Sequence, residues 1–177
     1  MRESFAFEIP RLRTERLLLR EFLKEDFDAY ANHMADADAM KHMAGAQDRR
    51  MAWRAFAAGT GMWPLTGGGW WSVVVASSGE LAGHVGAFFR ETSFDDGPVD
   101  LELGWSMFRA HWRRGYASEA AAAALAWGIE THAPKRVIAI INHDNLASIG
   151  VSRRLGMRYE RDIDFYGITT QRYVLER

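Results

Sequence analysis

Three leucines, Leu17, Leu18 and Leu19, sit at the centre of the polar-edged run TERLLLREF, and this pattern predicts a strand over residues 14–22. In the next run, KEDFDAYANHMA at 24–35, Phe27, Tyr30, Ala31 and Met34 recur at three- and four-residue spacing, which places them on one face of a helix. A second helix is expected over 47–58, where Met51, Trp53, Ala55 and Phe56 are apolar. The run MWPLTGGGWW follows, and its Gly67-Gly68-Gly69 cluster reads as a mobile loop. WWSVVVA at 70–76 is aromatic and β-branched, as strands favour. The turn Ser77-Ser78-Gly79-Glu80 then sends the chain back along 81–90 as a hairpin. Gly83 and Gly86 inside the returning strand call for a bulge or a close backbone neighbour.

After a second turn at 92–98 (TSFDDGP), residues 99–108 place Val99, Leu101, Leu103 and Trp105 on one face and Glu102 on the other, as a third antiparallel strand. Residues 115–129 are rich in alanine and predict a helix. RVIAII at 136–141 is short and apolar, typical of a strand covered on both faces. A helix over 145–155 ends at Gly156, and 158–163 with 166–175 closes as a final hairpin. The order β, α, α, β, β, β, α, β, α, β, β is α+β: a largely antiparallel sheet of about seven strands flanked by helices. The four prolines are dispersed, with no charge block or repeat, so residues 1–177 are expected to form a single domain.

Composition narrows the chemistry. The chain has 177 residues, 48% hydrophobic and 25% charged, which is ordinary for a globular protein. It has no cysteine, which excludes disulfides, thiolate catalysis and cysteine-ligated metal centres. The six histidines, His33, His42, His84, His111, His132 and His143, show no metal-ligand spacing, and neither H-E-x-x-H nor G-x-S-x-G occurs. Net charge is −1, so a polyanion would need a local basic patch. The start, MRESFAFEIP, is charged and its apolar run is too short for a signal peptide; no stretch reaches the roughly 20 apolar residues of a membrane helix. A cytoplasmic protein is the expectation.

The strand at 99–108 passes through the basic run RAHWRRGYAS into the alanine-rich helix. Such a junction presents unpaired N–H groups at the positive end of a helix, which suits a phosphate or pyrophosphate. Gly115 and Ala117 allow close approach, Ser118 adds a hydroxyl, and Arg113 and Arg114 add charge. A solvated basic helix start is the alternative for so short a pattern.

Four ordered pieces make the choice: TERLLLREF, GHVGAFFR, LELGWSM with HWRRGYASEA, and NHDNLASIGVSRRLGM. Together they resemble the GNAT superfamily of acetyl-CoA-dependent N-acetyltransferases, over residues 14–177. Within it they look most like the branch containing the ribosomal-protein N-terminal (alanine and serine) acetyltransferases. The resemblance implies a GNAT-like fold and acetyl-CoA as co-substrate, with no metal. It places the pyrophosphate on the backbone of Arg113, Arg114, Gly115, Tyr116, Ala117 and Ser118, and the pantetheine beside Trp105, Ser106 and Met107, with Asn145 a further contact or a helix cap. Two positions depart from the family's Gln/Arg-x-x-Gly-x-Gly/Ala pattern: Trp112 stands at the Gln/Arg position, and Arg113 stands where glycine is usual. The superfamily's frequent tyrosine acid, four residues before the helix-ending glycine, is here Ser152.

Acetyl transfer to an amine needs a neutral amine, donors for the oxyanion and a proton for the leaving thiolate. Glu102 is the candidate base, and its alternative is a solvent-side strand residue or half of a structural ion pair. Ser148 matches the serine that, by the resemblance, protonates or holds the CoA sulfur, and its alternative is helix capping. Without cysteine, transfer is expected by direct attack in a ternary complex. The acceptor is expected to be a protein or peptide α-amine, with a small-molecule amine second. Asp95, Asp96 and Asp100 cluster near Glu102 and are weighed as an acidic draw on a cationic amine against an ordinary acidic turn. Trp63, Trp70 and Trp71 are either core or an aromatic rim of the acceptor groove. Two rivals of other classes are a catalytically weak acyl-CoA-binding module and a nucleic-acid-binding domain resting on the Arg109–Arg114 cluster. Neither a nucleic acid nor a membrane is expected as partner, and a homodimer is left open.

Overall fold

The computed structural model of the chain describes residues 7–43, 45–93 and 97–177. Among these, eight strands form one sheet: β1 (Leu12–Arg13), β2 (Leu17–Arg20), β3 (Gly69–Val75), β4 (Leu81–Phe88), β5 (Leu101–Met107), β6 (Arg136–Ile141), β7 (Arg158–Phe165) and β8 (Ile168–Glu176). Five α-helices accompany them: α1 (Phe27–Ala35), α2 (Ala37–Met40), α3 (Arg49–Thr66), α4 (Tyr116–His132) and α5 (Leu146–Arg154). The sheet order is β1-β2-β3-β4-β5-β6-β8-β7, and the sheet is largely antiparallel, as the α+β reading expects. The eighth strand is the two-residue β1. Every pairing is antiparallel except β5 with β6, which run parallel and match only at Leu101–Val137 and Glu102–Ile138.

The alternation along the strands sorts the sheet into two faces. Leu17, Leu19, Trp71, Val73, Val85, Leu101 and Leu103 face α4 and are essentially fully buried. The alanines of that helix let it lie close: Ala120, Ala121 and Ala124 are fully buried against the sheet. A Cβ on Gly128 would come within 2.6 Å of Leu101, so the helix also needs a glycine there. The other face carries Ser72, His84, Glu102 and Ser106, all polar, under α1 and α3. There a smaller cluster of Tyr30, Ala31, Met34, Met40, Ala52 and Phe56 ties the helices together. Asp26 docks them to the strands by taking two hydrogen bonds from Arg20 and one from Ser72.

Several expectations move. The strand expected over 14–22 is four residues long, with Thr14 and Arg16 committed elsewhere, as described below. The second helix runs on through Pro64 to Thr66, so MWPLTGGGWW is not a loop. Gly67 caps that helix in the left-handed region at φ +74°, which glycine adopts without strain. Gly69 already belongs to β3 beneath the Trp63 ring, where an added Cβ would come within 2.7 Å. Trp63 and Trp71 are fully buried and pack edge-on with Trp127. The irregularity expected at Gly83 is present, as a register shift opposite it between Val73 and Val74. Gly86 lies beneath the Trp70 ring. Asp95 and Asp96 lie outside the described residues.

Candidate active site

The two-residue parallel pairing has a structural consequence. Beyond Glu102 and Ile138 the strands β5 and β6 no longer pair, so the sheet opens between them. Side chains bridge the opening: the Trp105 Nε1–H donates to Ser148 Oγ at 3.2 Å. Ser148 is held there by Asn145, the N-cap of α5, whose Oδ1 accepts from the Ser148 backbone N–H at 3.1 Å. Two of the sequence candidates, Trp105 and Ser148, are thus in contact, and Asn145 positions the second.

The remaining β5 candidates divide. Ser106 points to the opposite face, where its hydroxyl lies 2.7 Å from His33 Nε2. The Met107 side chain is buried, and its carbonyl accepts from Trp112 Nε1 at 2.7 Å. These two can meet a ligand in the opening through backbone only.

From Met107 the chain makes a 3₁₀ turn over Arg109–His111 and reaches Gly115, the N-cap of α4. Two residues here are left-handed: Arg113 at φ +59° and Gly115 at φ +80°. The first shows why glycine, which the resemblance leads one to expect, would suit that position: a non-glycine residue there carries about 1–2 kcal/mol of strain. Gly115 supplies no side-chain cap. The first intrahelical donor is the Glu119 N–H, to the Gly115 carbonyl, so the N–H groups of Tyr116, Ala117 and Ser118 precede the helix's own bonding. Arg113 and Arg114 are exposed beside them. The Tyr116 ring is buried, so this residue offers only its backbone. The left-handed turns, the uncapped helix start and two exposed guanidiniums fit a pyrophosphate.

One element of this loop is missing from the sequence reading. Glu119 Oε1 accepts from the Arg16 backbone N–H at 2.9 Å and from Thr14 Oγ1 at 2.5 Å, while Oε2 takes Arg16 Nε at 2.7 Å. Arg16 also donates to the Arg114 carbonyl at 2.9 Å and lies over the Tyr116 ring at 5.0 Å. The connection between β1 and β2 therefore clamps the loop. Both ends of the clamp lie in quoted motifs, TERLLLREF and HWRRGYASEA, but no local pattern says that they meet.

Glu102 is 5% exposed on the face away from α4. Arg90 grips it with two hydrogen bonds, Nε to Oε2 at 2.5 Å and Nη2 to Oε1 at 2.6 Å. Burial pushes the carboxyl above its ordinary range, against the pull of the guanidinium. Asp100 pairs with Arg136 at 3.3 Å and lines the small cavity beside Glu102. Ser152 is fully buried and donates to the Ile149 carbonyl at 2.9 Å, so it does not stand in for the missing tyrosine. Trp70 is the one tryptophan of its trio that is not fully buried, and it lies over Gly86 and Gly104 on the Glu102 face. A surface groove of about 420 Å³ opens beside Arg90, lined by Met62, Leu65, Phe89, Glu91 and Tyr166. Among the described residues no group of three or more His, Asp or Glu could hold a metal ion, and no helix is long and apolar enough to cross a membrane.

The chain matches the acetyltransferase (GNAT) domain family over residues 16–158. It belongs to the GNAT acetyltransferase family. The GNAT neighbours among solved structures include an acetyltransferase from Agrobacterium tumefaciens, at 30% identity and a TM-score of 0.83, each chain covered in full. The RimL ribosomal L7/L12 α-N-protein acetyltransferase in complex with coenzyme A shares the fold at 14% identity and a TM-score of 0.74, over 92% of this chain and 95% of that one. So does the spermidine N-acetyltransferase of Vibrio cholerae in complex with CoA and spermine, at 13% identity and a TM-score of 0.71, over 92% and 96%. The GNAT enzyme described here is an acetyl-CoA-dependent acyltransferase.

A pair of histidines under the β5 strand is expected to make the fold sensitive to acid. His33 and His84 are both buried, 5.7 Å apart between ring centres, among Phe22, Tyr30, Trp70 and Phe108. Burial pushes His33 down to about 4, with Asp36 pulling the other way, and His84 down to about 3. The unfolded chain binds these protons near pH 6.5 and the folded protein does not. Their contribution is thus complete above about pH 6.5 and is lost as pH falls below it. Melting temperature should begin to fall below about pH 6.5, before the carboxylates titrate, and His84→Phe should flatten the slope between pH 6.5 and 4.5. Parallel melting curves for the two proteins would refute this account.

Proposed function

We propose that this GNAT enzyme acetylates the α-amine of a protein or peptide by direct attack within a ternary complex. Acetyl-CoA supplies the activated acetyl group. The backbone N–H groups of 116–118, with Arg113 and Arg114, hold its pyrophosphate, and the β5 edge from Met107 to Trp105 holds the pantetheine in the opening. Glu102 accepts the proton of the attacking amine through water. The nitrogen bonds to the acetyl carbon, the carbon–sulfur bond breaks, and the thiolate leaves toward the Ser148 hydroxyl, which donates a hydrogen bond.

The observation that carries this reading is the placement of a buried carboxylate, Glu102, at the point where β5 and β6 part. The groove beside Arg90 is open at the surface and suits a chain end. Its described charges are one cation, Arg90, and one anion, Glu91, which do not balance a polyamine. A single modest base also favours an α-amine, whose pKa near 8 lies about 2.4 units below that of lysine. A small monoamine is the second reading, supported by the apolar walls Met62, Leu65 and Phe89.

Matched peptides separate these acceptors, one with a free N-terminus and a blocked lysine, the other reversed. The expected kcat/KM favours the free α-amine by about two orders of magnitude, the ratio of neutral amine at pH 7. A preference for the lysine peptide would overturn the terminal-amine reading and leave the acetyltransferase activity standing.

A further inference from the structure

We propose that Arg90 is a positioning residue of the transfer reaction, which keeps the Glu102 carboxylate ionised and aimed at the opening between β5 and β6. The proposal rests on the reading of Glu102 as the base.

Its first support is geometric. Arg90 lies just beyond β4, and its guanidinium meets both oxygens of Glu102 in the planar fork that arginine alone provides. Two rings fix the guanidinium in place, Phe88 at 5.5 Å and Phe165 at 5.3 Å. A carboxylate offers about four lone-pair sites, so a two-bonded Glu102 still has capacity to accept from a water or an amine.

Its second support is electrostatic. Glu102 sits on a strand with its side chain 7% exposed, where an unpaired charge is costly and a carboxyl tends to take up a proton. The charged groups around it come from every neighbouring element. Asp100 precedes β5 and pairs with Arg136 of β6. Arg136 and Arg172 of β8 both bind Glu160 of β7, at 2.8 and 2.5 Å. Arg172 also lines the small cavity beside Glu102, and Arg90 lines both that cavity and the acceptor groove. Among the described residues three arginines thus face three carboxylates, and within that set Arg90 donates a hydrogen bond to each oxygen of Glu102. Removing it leaves the carboxylate without its fork while the other pairs stay closed.

The test compares Arg90→Met, Arg90→Gln and Arg90→Lys with the wild type, using two readouts. Infrared difference spectra report whether Glu102 is protonated, with the Arg90→Met/Glu102→Gln double variant assigning the band. Turnover is followed from pH 6 to 9. The expected result is a protonated carboxyl band at pH 7 in Arg90→Met, absent from the wild type and from the double variant. Turnover at pH 6.5 should fall at least about tenfold, the equivalent of one pKa unit, and recover with the midpoint of the infrared titration. Arg90→Lys, which keeps the charge, should keep Glu102 ionised. Should Arg90→Met fail to fold, Arg90→Gln gives the same readout with a neutral donor of similar reach. A Glu102 that stays ionised at pH 7 in the neutral variants would overturn the proposal. The base reading fails separately, if Glu102→Gln turns over like the wild type.

Discussion

Glu102→Gln is expected to lower turnover at neutral pH by about 10²–10⁴-fold, the range typical for loss of a general base, while acetyl-CoA affinity stays unchanged. The amide has the carboxylate's shape, and its oxygen can still accept one of the two Arg90 hydrogen bonds, while its NH2 meets the other donor. What it lacks is the capacity to take a proton. The deficit should therefore shrink as pH approaches the acceptor's own pKa, because the amine then deprotonates unaided. The burial that raises the Glu102 pKa brings it closer to the working pH, where a base is most effective. Turnover equal to wild type at pH 7, with the melting temperature intact, would remove Glu102 from the mechanism.

The second large effect is expected at Gly115. Its φ of +80° is strained for a β-branched side chain, and the first added carbon would lie 3.3 Å from Arg16 Nη2, the arginine that clamps the loop through the Arg114 carbonyl. Gly115→Val should relax the loop out of its left-handed turn, so that binding must restore it. A strain of 1–3 kcal/mol corresponds to a loss of acetyl-CoA affinity of roughly 5–150-fold, before any clash with the pyrophosphate is counted. Calorimetry on the folded variant gives the number. Unchanged affinity would rule out this placement of the pyrophosphate.

The parts of the fold that were legible in the sequence share a cause. RVIAII, fully apolar and short, is found as a strand over the residues expected, and the alternation from Leu101 to Trp105 fixes both faces of β5. Periodicity carries such elements because burial acts on each residue separately. It fails where geometry decides. The glycines at 67–69 looked like a loop, yet one caps a helix and another lies under Trp63, contacts made by residues that only the fold brings near. The strand Leu12–Arg13 and the one-turn helix Ala37–Met40 are too short to show a period, although Asp36 caps that helix with hydrogen bonds to Asp38 and Ala39.

The candidate site divides the same way. The GNAT motifs pointed to the loop 113–118 and to Trp105 and Ser148, and the structure joins the last two by a hydrogen bond. The sequence offers an ion pair as an alternative for Glu102 but does not identify its partner. Arg90 reaches it only because β4 and β5 are antiparallel neighbours with Phe88 opposite Glu102. The clamp from Thr14 and Arg16 to Glu119 spans more than a hundred residues and has no local signature.

The central claim is that the opening between β5 and β6 is where the acetyl group is transferred. A crystal structure with CoA bound tests it most directly. The account predicts pyrophosphate oxygens within hydrogen-bond distance of the N–H groups of 116–118, the pantetheine along Trp105 to Met107, and the sulfur between Glu102 and Ser148. CoA bound away from this opening, or with its sulfur out of reach of both side chains, would contradict it.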